Sequence, residues 1–282
     1  MSVLILGTFD GVHLAHRQLI TEAKKTGKKI IACTFSSPFS GQGLLTTVQE
    51  KTVLLKRYGV NEVFVQDFKD IKDLEAEEYV KRLCQKFSPS YIVTGFNHHF
   101  GKDAKGSPAL LSILGRKYNF IPITVPPVKE NDIIVSSTFI RSLILEGKVD
   151  VAKKLLGRYY TIKGNTVHGK HLGSTIDFPT INTSVTDKLI PQNGVYATMV
   201  RVFGKFYKGM TNIGTNPTVD GSDLTVETHI LGFSGDLYNK ETEIFFIKKI
   251  RDDKKFASLE DLRAQLSDDP LLINAYLDTI KK

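Results

Sequence analysis

Short apolar runs rich in β-branched residues recur along the first half of the chain, and amphipathic segments lie between them. Residues 3–6, 29–35, 63–65, 91–94 and 121–125 read as strands. Residues 14–26, 47–58, 76–87, 108–118 and 138–146 read as helices. Ser107-Pro108 supplies a helix cap followed by proline at the first helical position. Alternation of this kind predicts an α/β unit: a parallel sheet covered on both faces, with ligands at the carboxyl ends of its strands. The pattern changes near Gly157. Alternating, aromatic-rich strands follow at 159–163, 195–202, 205–212, 225–231 and 244–250, with no helices between them, and the chain closes on helical segments 258–266 and 271–280. Strands in series predict a small antiparallel β-barrel with a carboxyl-terminal helix. The expected organisation is an α/β domain at 1–147, a helical connector at 148–156 and a β domain at 157–282.

Composition narrows the class. A chain of 282 residues, 41% hydrophobic and 24% charged, exceeds one small core and fits two domains. No apolar run approaches the roughly 20 residues that span a bilayer, and the first residues lack the basic, apolar and cleavage regions of a signal peptide. Cys33 and Cys84 sit in apolar surroundings without metal-like spacing, so both are expected as buried, reduced thiols. A cytoplasmic enzyme with no membrane partner is the expectation. The net charge of +8 is uneven: +7 falls in residues 1–156 and +1 in 157–282. That excess fits capture of polyanions such as ATP. Lys24, Lys25, Lys28 and Lys29 read as a solvated helix end, and no nucleic-acid-binding motif accompanies them, so nucleic acid is not an expected partner.

Candidate chemistry starts at the first predicted strand end. Gly7-Thr8-Phe9-Asp10-Gly11-Val12-His13-Leu14-Ala15-His16 joins that strand to a helix carrying histidines three residues apart. This spacing puts both rings on one helix face. The first helical turn adds unpaired N–H groups and the positive end of the macrodipole, which favours a phosphate chain. No P-loop lysine follows the glycines, and imidazoles suit charge stabilisation on a phosphate under attack. A second polar cluster, Val135-Ser136-Ser137-Thr138-Phe139-Ile140-Arg141, can cap a helix or hold an anion, with Arg141 one turn in. In the second half, Val167-His168-Gly169-Lys170-His171-Leu172-Gly173-Ser174-Thr175-Ile176-Asp177-Phe178-Pro179-Thr180-Ile181-Asn182 combines flexible glycines, positive charge at Lys170, and neutral oxygens at Thr180 and Asn182 suited to Mg²⁺. His98 and His99 read as a loop contact with substrate, or as exposed, rather than as a metal pair.

The first of these strings resembles G-x-F-D-G-x-H-x-G-H of the bacterial FAD synthetases in the HxGH nucleotidyltransferase superfamily, with Ala15 where the family has glycine. The Ser136-Ser137-Thr138…Arg141 element is similar to I-S-S-T-x-I-R of the same enzymes. Pro179-Thr180-Ile181-Asn182 resembles the P-T-A-N core of riboflavin kinases. Gly194-Val195-Tyr196-Ala197, Asn212-Ile213-Gly214-Thr215-Asn216-Pro217-Thr218, Val226-Glu227-Thr228-His229-Ile230 and Asp236-Leu237-Tyr238 look like further elements of that family, as do Ile250-Arg251 and Lys255-Phe256. The chain is thereby identified as resembling the bifunctional riboflavin kinase/FMN adenylyltransferase family along nearly its whole length. The resemblance implies a Rossmann-like nucleotidyltransferase domain followed by a riboflavin kinase barrel, with riboflavin, FMN and Mg-ATP as substrates.

The resemblance also implies roles for particular residues. Glu227 is the base toward the riboflavin 5′-hydroxyl, and His13 and His16 stabilise charge on the α-phosphate while FMN attacks. The implied ATP-binding set is Gly7, Thr8, Phe9, Asp10, Gly11, His13, His16, Ser136, Ser137, Thr138 and Arg141 in the first domain, and Gly169, Lys170, Gly173, Thr180 and Asn182 in the second. Thr180 and Asn182 hold Mg²⁺, and Arg251 and Phe256 contact the flavin. Departures occur where the family carries F-D-P-H-P and G-x-D-F-x-F-G: here the chain reads Phe35-Ser36-Ser37-Pro38-Phe39 and Gly95-Phe96-Asn97-His98-His99-Phe100-Gly101. Ser174 and Asp177 also depart from the kinase pattern. Two other readings stay open on these residues, a kinase-only enzyme with a diverged first domain and a flavin-sensing or nucleic-acid-binding regulator. Oligomeric state is not legible.

Overall fold

The structure is a computed structural model that describes residues 2–36, 43–167, 179–218, 221–254 and 259–280. It divides into two compact units, Met1–Phe139 and Ile140–Lys282. The first unit runs β1 (Ser2–Leu6), α1 (Leu14–Lys25), β2 (Lys29–Phe35), α2 (Val48–Arg57), β3 (Glu62–Gln66), the one-turn α3 (Phe68–Ile71), α4 (Ala76–Phe87), β4 (Pro89–Gly95), α5 (Pro108–Tyr118) and β5 (Ile121–Val125). A hairpin of β6 (Lys129–Glu130) and β7 (Ile133–Ile134) follows, and α6 (Ser137–Leu145) crosses the division. The sequence pattern did not announce α3 or the hairpin, because elements of two to four residues are too short to show a period.

The five main strands are parallel in the order β3-β2-β1-β4-β5. Both faces are apolar, as a sheet covered twice requires. Val3, Ile5, Ile30, Ala32 and Val93 join one core with Leu19, Ile20 and Ala23 of α1 and Leu54 and Leu55 of α2. Leu4, Leu6, Ile31, Cys33 and Ile92 join the other with Tyr79, Val80 and Leu83 of α4 and Leu111 and Leu114 of α5. Each valine, leucine or isoleucine among them contributes roughly 1.5–3 kcal/mol by leaving water. Strand order reverses between β1 and β4, which places the ligand crevice of this fold type beyond Leu6 and Gly95. Cys33 is buried as expected. Cys84 is only half-buried, since it lies at the edge of the α4 core rather than inside it.

The second unit adds α7 (Val149–Leu156), β8 (Tyr160–Val167), β9 (Ile181–Thr183), β10 (Gly194–Val202), β11 (Lys205–Thr218), β12 (Gly221–Ile230), β13 (Glu241–Arg251) and α8 (Leu259–Thr279). The six strands close into an antiparallel barrel in the order β10-β11-β12-β9-β8-β13. The segment expected as a connector is α7. Its Val149, Ala152, Leu155 and Leu156 are buried, and it packs on β8 and β13, so it is part of this unit rather than a spacer.

Two carboxyl-terminal helices were expected, but one helix runs through Pro270. The proline removes one helical hydrogen bond. Burial of Ile273 and Leu277 against the barrel, and the Asp269 ion pair with Arg251, hold the helix on both sides of it. Strands β11 and β12 extend beyond their expected ends because they form one long hairpin, Asn212 opposite Glu227 and Thr218 opposite Gly221.

Candidate functional site

In the first unit the crevice is a cavity of about 700 Å³. Gly7 and Thr8 line it after β1, His13, Ala15 and His16 at the start of α1, residues 95–101 after β4, and Ser136, Ser137 and Thr138 at the start of α6. Two predicted phosphate elements, 120 residues apart in the chain, therefore meet at one cavity. Ser137 Oγ donates to the Asp10 carbonyl at 2.8 Å, and Ser136 Oγ accepts the Phe139 N–H at 3.2 Å as the cap of α6. His13 caps α1, its Nδ1 accepting the His16 N–H at 3.4 Å. An acceptor at Nδ1 leaves Nε2 as the protonated nitrogen of the neutral ring. The two imidazoles stack, with centroids 3.6 Å apart and planes 16° apart. Ala15, at the position where the family carries glycine, lines the cavity.

Phe9, Asp10 and Gly11 do not line this cavity; they build the turn that carries it. Phe9 is fully buried in the core above α1. The buried Asp10 carboxylate accepts the Thr46 N–H at 2.9 Å and the Leu45 N–H at 3.3 Å, while Thr46 Oγ1 accepts the Gly11 N–H at 2.9 Å. The turn is strained: Gly11 has φ 83°, where glycine is at ease, but Phe9 has φ 50° and the β-branched Val12 has φ 39°. Arg141 lies one turn into α6, within the second unit, and the cavity lining ends at Thr138.

Aromatic and apolar side chains occupy the rest of the wall, among them Phe35, Phe68, Ile71 and Tyr79. In the altered loop, Asn97 and His99 are exposed, while His98 is half-buried and stacks on Phe100 at 5.8 Å. Its Nε2 is fully buried with no hydrogen-bond partner among the described residues. Burial, aided by the neighbouring His99, pushes the His98 imidazole down to about 4, so the ring is neutral near pH 7. Ser37, Pro38 and Phe39 lie outside the described residues.

In the barrel, strand register assembles the second centre. Glu227 of β12 stands opposite Asn212 of β11 on one side and Asn182 of β9 on the other. Residues in such a cross-strand row share a face of the sheet. Thr180 precedes β9, and His229 Nδ1 holds the Pro179 carbonyl at 2.9 Å, fixing the backbone just before Thr180. The Thr198, Thr211 and Thr228 hydroxyls, all fully buried, form a hydrogen-bonded ladder at 2.9 and 3.0 Å beside this row. Strand register adds Asn212, the first residue of the 212–218 motif, to the row.

Arg251, expected at the flavin, donates to Asp269 of α8: Nη2 at 2.7 Å and Nε at 3.0 Å reach one buried oxygen. Gln265 donates to the other oxygen at 2.8 Å. Gly169, Lys170, Gly173, Ser174, Asp177 and Phe256 lie outside the described residues.

The FAD synthetase family profile matches residues 1–139, and the riboflavin kinase profile matches 156–277. The bifunctional riboflavin kinase/FMN adenylyltransferase of Escherichia coli K12 is 33% identical over 99% of this chain and 94% of its own length. The chain belongs to the bifunctional riboflavin kinase/FMN adenylyltransferase family. Relatives of the same name from Buchnera aphidicola of Schizaphis graminum and from Listeria monocytogenes are 33% and 35% identical, over 99% and 95% of this chain and 95% and 90% of theirs. A solved structure described as a macrolide-efflux protein from Streptococcus pneumoniae shares the family architecture, with TM-score 0.88 and 32% identity over 97% of this chain and 93% of that one. Among the described residues no helix of this family member is long and apolar enough to cross a membrane.

Proposed function

We propose that this transferase makes FMN in the barrel and FAD in the α/β unit, and that the residues gathered at the two centres carry the chemistry. Ser137 bonded to Asp10 carries the reading for the first centre, because it joins the α1 and α6 starts at one cavity. There the N–H groups of both helix starts and the Ser136, Ser137 and Thr138 hydroxyls would hold the ATP phosphates. A phosphate oxygen of FMN attacks the α-phosphorus, and pyrophosphate leaves. The substrate is the nucleophile, so the side chains have only to place the two phosphates and stabilise charge. His13, with Nε2 as donor, and His16 stacked on it do so. The aromatic wall of Phe35, Phe68 and Tyr79 suits the flavin ring.

At the second centre the Glu227 carboxylate takes the proton of the riboflavin 5′-hydroxyl as its oxygen attacks the γ-phosphorus and ADP leaves. Thr180, Asn182 and Glu227 offer only oxygen donors on one row and its continuation, which fits a hard cation such as Mg²⁺ that keeps water and phosphate ligands. Bound there, Mg²⁺ supplies charge neutralisation at the phosphates. Residues 1–147 serve adenylyl transfer, and 157–282, with the helix in 148–156 packed on the barrel, serve phosphorylation. Working on soluble nucleotides and flavins, the enzyme belongs in the cytoplasm, with no nucleic-acid or membrane partner.

Chromatography of flavins after incubation with Mg-ATP tests this. Riboflavin should yield FMN and then FAD, and supplied FMN should yield FAD. Absence of FAD from supplied FMN would overturn the role given to the first cavity.

A further inference from the structure

Lys51 of α2 is a buried cation that neither reaction mechanism uses. It is 5% exposed, and its ammonium donates to the carbonyls of Thr8 at 3.0 Å and Phe35 at 2.9 Å. The first carbonyl belongs to a residue lining the cavity, in the turn that ends at His13. The second ends β2. Thr34 Oγ1 donates to the same Thr8 carbonyl at 2.8 Å. Burying a lysine is costly: desolvation pushes this ammonium down to about 8, with Asp10 of the turn acting in the opposite direction. A neutral donor could satisfy the same carbonyls without that cost.

The position of the contact gives the cation a use. In a trans peptide the C=O and the next N–H point in opposite directions. Drawing the Thr8 carbonyl toward Lys51 and Thr34 therefore turns the Phe9 N–H away from them. Phe9 sits at φ 50°, a conformation that persists only when the surroundings over-determine it. The latches are Asp10 with Thr46, Gly11 with Thr46, and Thr8 with Lys51 and Thr34, and among them Lys51 alone brings a positive charge. We propose that Lys51 is a positioning residue for the nucleotide half of adenylyl transfer: it fixes the peptide plane between Thr8 and Phe9 and adds a buried positive charge behind the turn that receives the ATP phosphates. This rests on the adenylyltransferase reading of the first cavity.

The test compares wild type with Lys51→Met, Lys51→Arg and Thr34→Val, using steady-state FAD formation from FMN and ATP, riboflavin phosphorylation in the barrel, and titration with ATP. Lys51→Met should raise KM for ATP in FAD formation tenfold or more while KM for FMN stays within twofold. Riboflavin phosphorylation should keep its own KM for ATP. Lys51→Arg, which retains charge and donors, should stay within threefold of wild type, and Thr34→Val should shift KM for ATP in the same direction as Lys51→Met by a smaller factor. A merely structural lysine would lower kcat through loss of folded protein and leave both KM values in place; that result overturns the proposal, as does failure of arginine to rescue. If Lys51→Met does not fold, an unmoved KM for ATP in Thr34→Val overturns it instead. Wild type that forms no FAD refutes the reading of the cavity, and the ATP titration then decides for Lys51: unchanged binding in Lys51→Met overturns its role, and loss of one binding event sustains it.

Discussion

His13 and His16 carry the same ring into different work. His13 caps α1 through Nδ1, so its replacement removes a structural bond together with a donor, whereas His16 lies on the first turn with its ring over His13. His16→Ala should cut the rate of FAD formation about 10²–10³-fold, the usual cost of removing a donor that meets developing charge. FMN formation should be untouched, and parallel assays of the two products check both outcomes. At the other centre Glu227→Gln keeps the shape and hydrogen bonding of the side chain but not its basicity, and FMN formation should fall about 10²–10⁴-fold.

His98 makes a different prediction. Its folded-state pKa of about 4 lies below the unfolded value near 6.5, so between these values the unfolded chain takes up a proton that the folded chain refuses. Stability is then fully present above pH 6.5, declines as pH falls to 4, and levels off below, by about 3 kcal/mol at most. Thermal unfolding of His98→Phe across this window should show a flatter decline than wild type; parallel curves would refute the assignment.

At the scale of elements, periodicity made the strands and long helices of the first unit legible. Residues 29–35, 76–87, 108–118 and 121–125 form the expected elements because their apolar spacing agrees with the packing they enter. Single local signals served less well. Pro270 reads as a helix break, and α8 continues through it because contacts distant in sequence hold both halves. The family resemblance puts Arg251 at the flavin, and its partner Asp269, 18 residues on, becomes visible only when α8 lies against β13. Asp10 reads as a ligand contact, and folding turns its carboxylate to the backbone at 45–46. Asp269 is buried and takes two Arg251 N–H groups on one oxygen, so removing one partner strands a charge. Arg251→Met should destabilise the second unit by about 3–5 kcal/mol, seen in chemical denaturation as a lower midpoint, with the unfolding of the first unit unmoved.

The whole molecule joins two centres built by different rules. The first arises where the parallel order of β1 and β4 reverses; the second comes from antiparallel register, which lines Asn182, Glu227 and Asn212 up on three neighbouring strands. Each centre draws its named residues from its own part of the chain. The His16→Ala and Glu227→Gln proteins, mixed with riboflavin and Mg-ATP, should therefore restore FAD formation through free FMN, and failure of the mixture would show that the two steps need one chain.

By itself the sequence determined the division into an α/β and a β half, the family, and the strings that supply histidines, hydroxyls and carboxylate, because period, turn chemistry and motif spacing are local properties. Tertiary structure alone decided which of those residues line the cavity and which hold the frame. The buried bonds of Asp10, Lys51 and Arg251 are made to groups remote in the chain, and whether a polar side chain meets substrate or backbone depends on what the fold brings within about 3 Å of it.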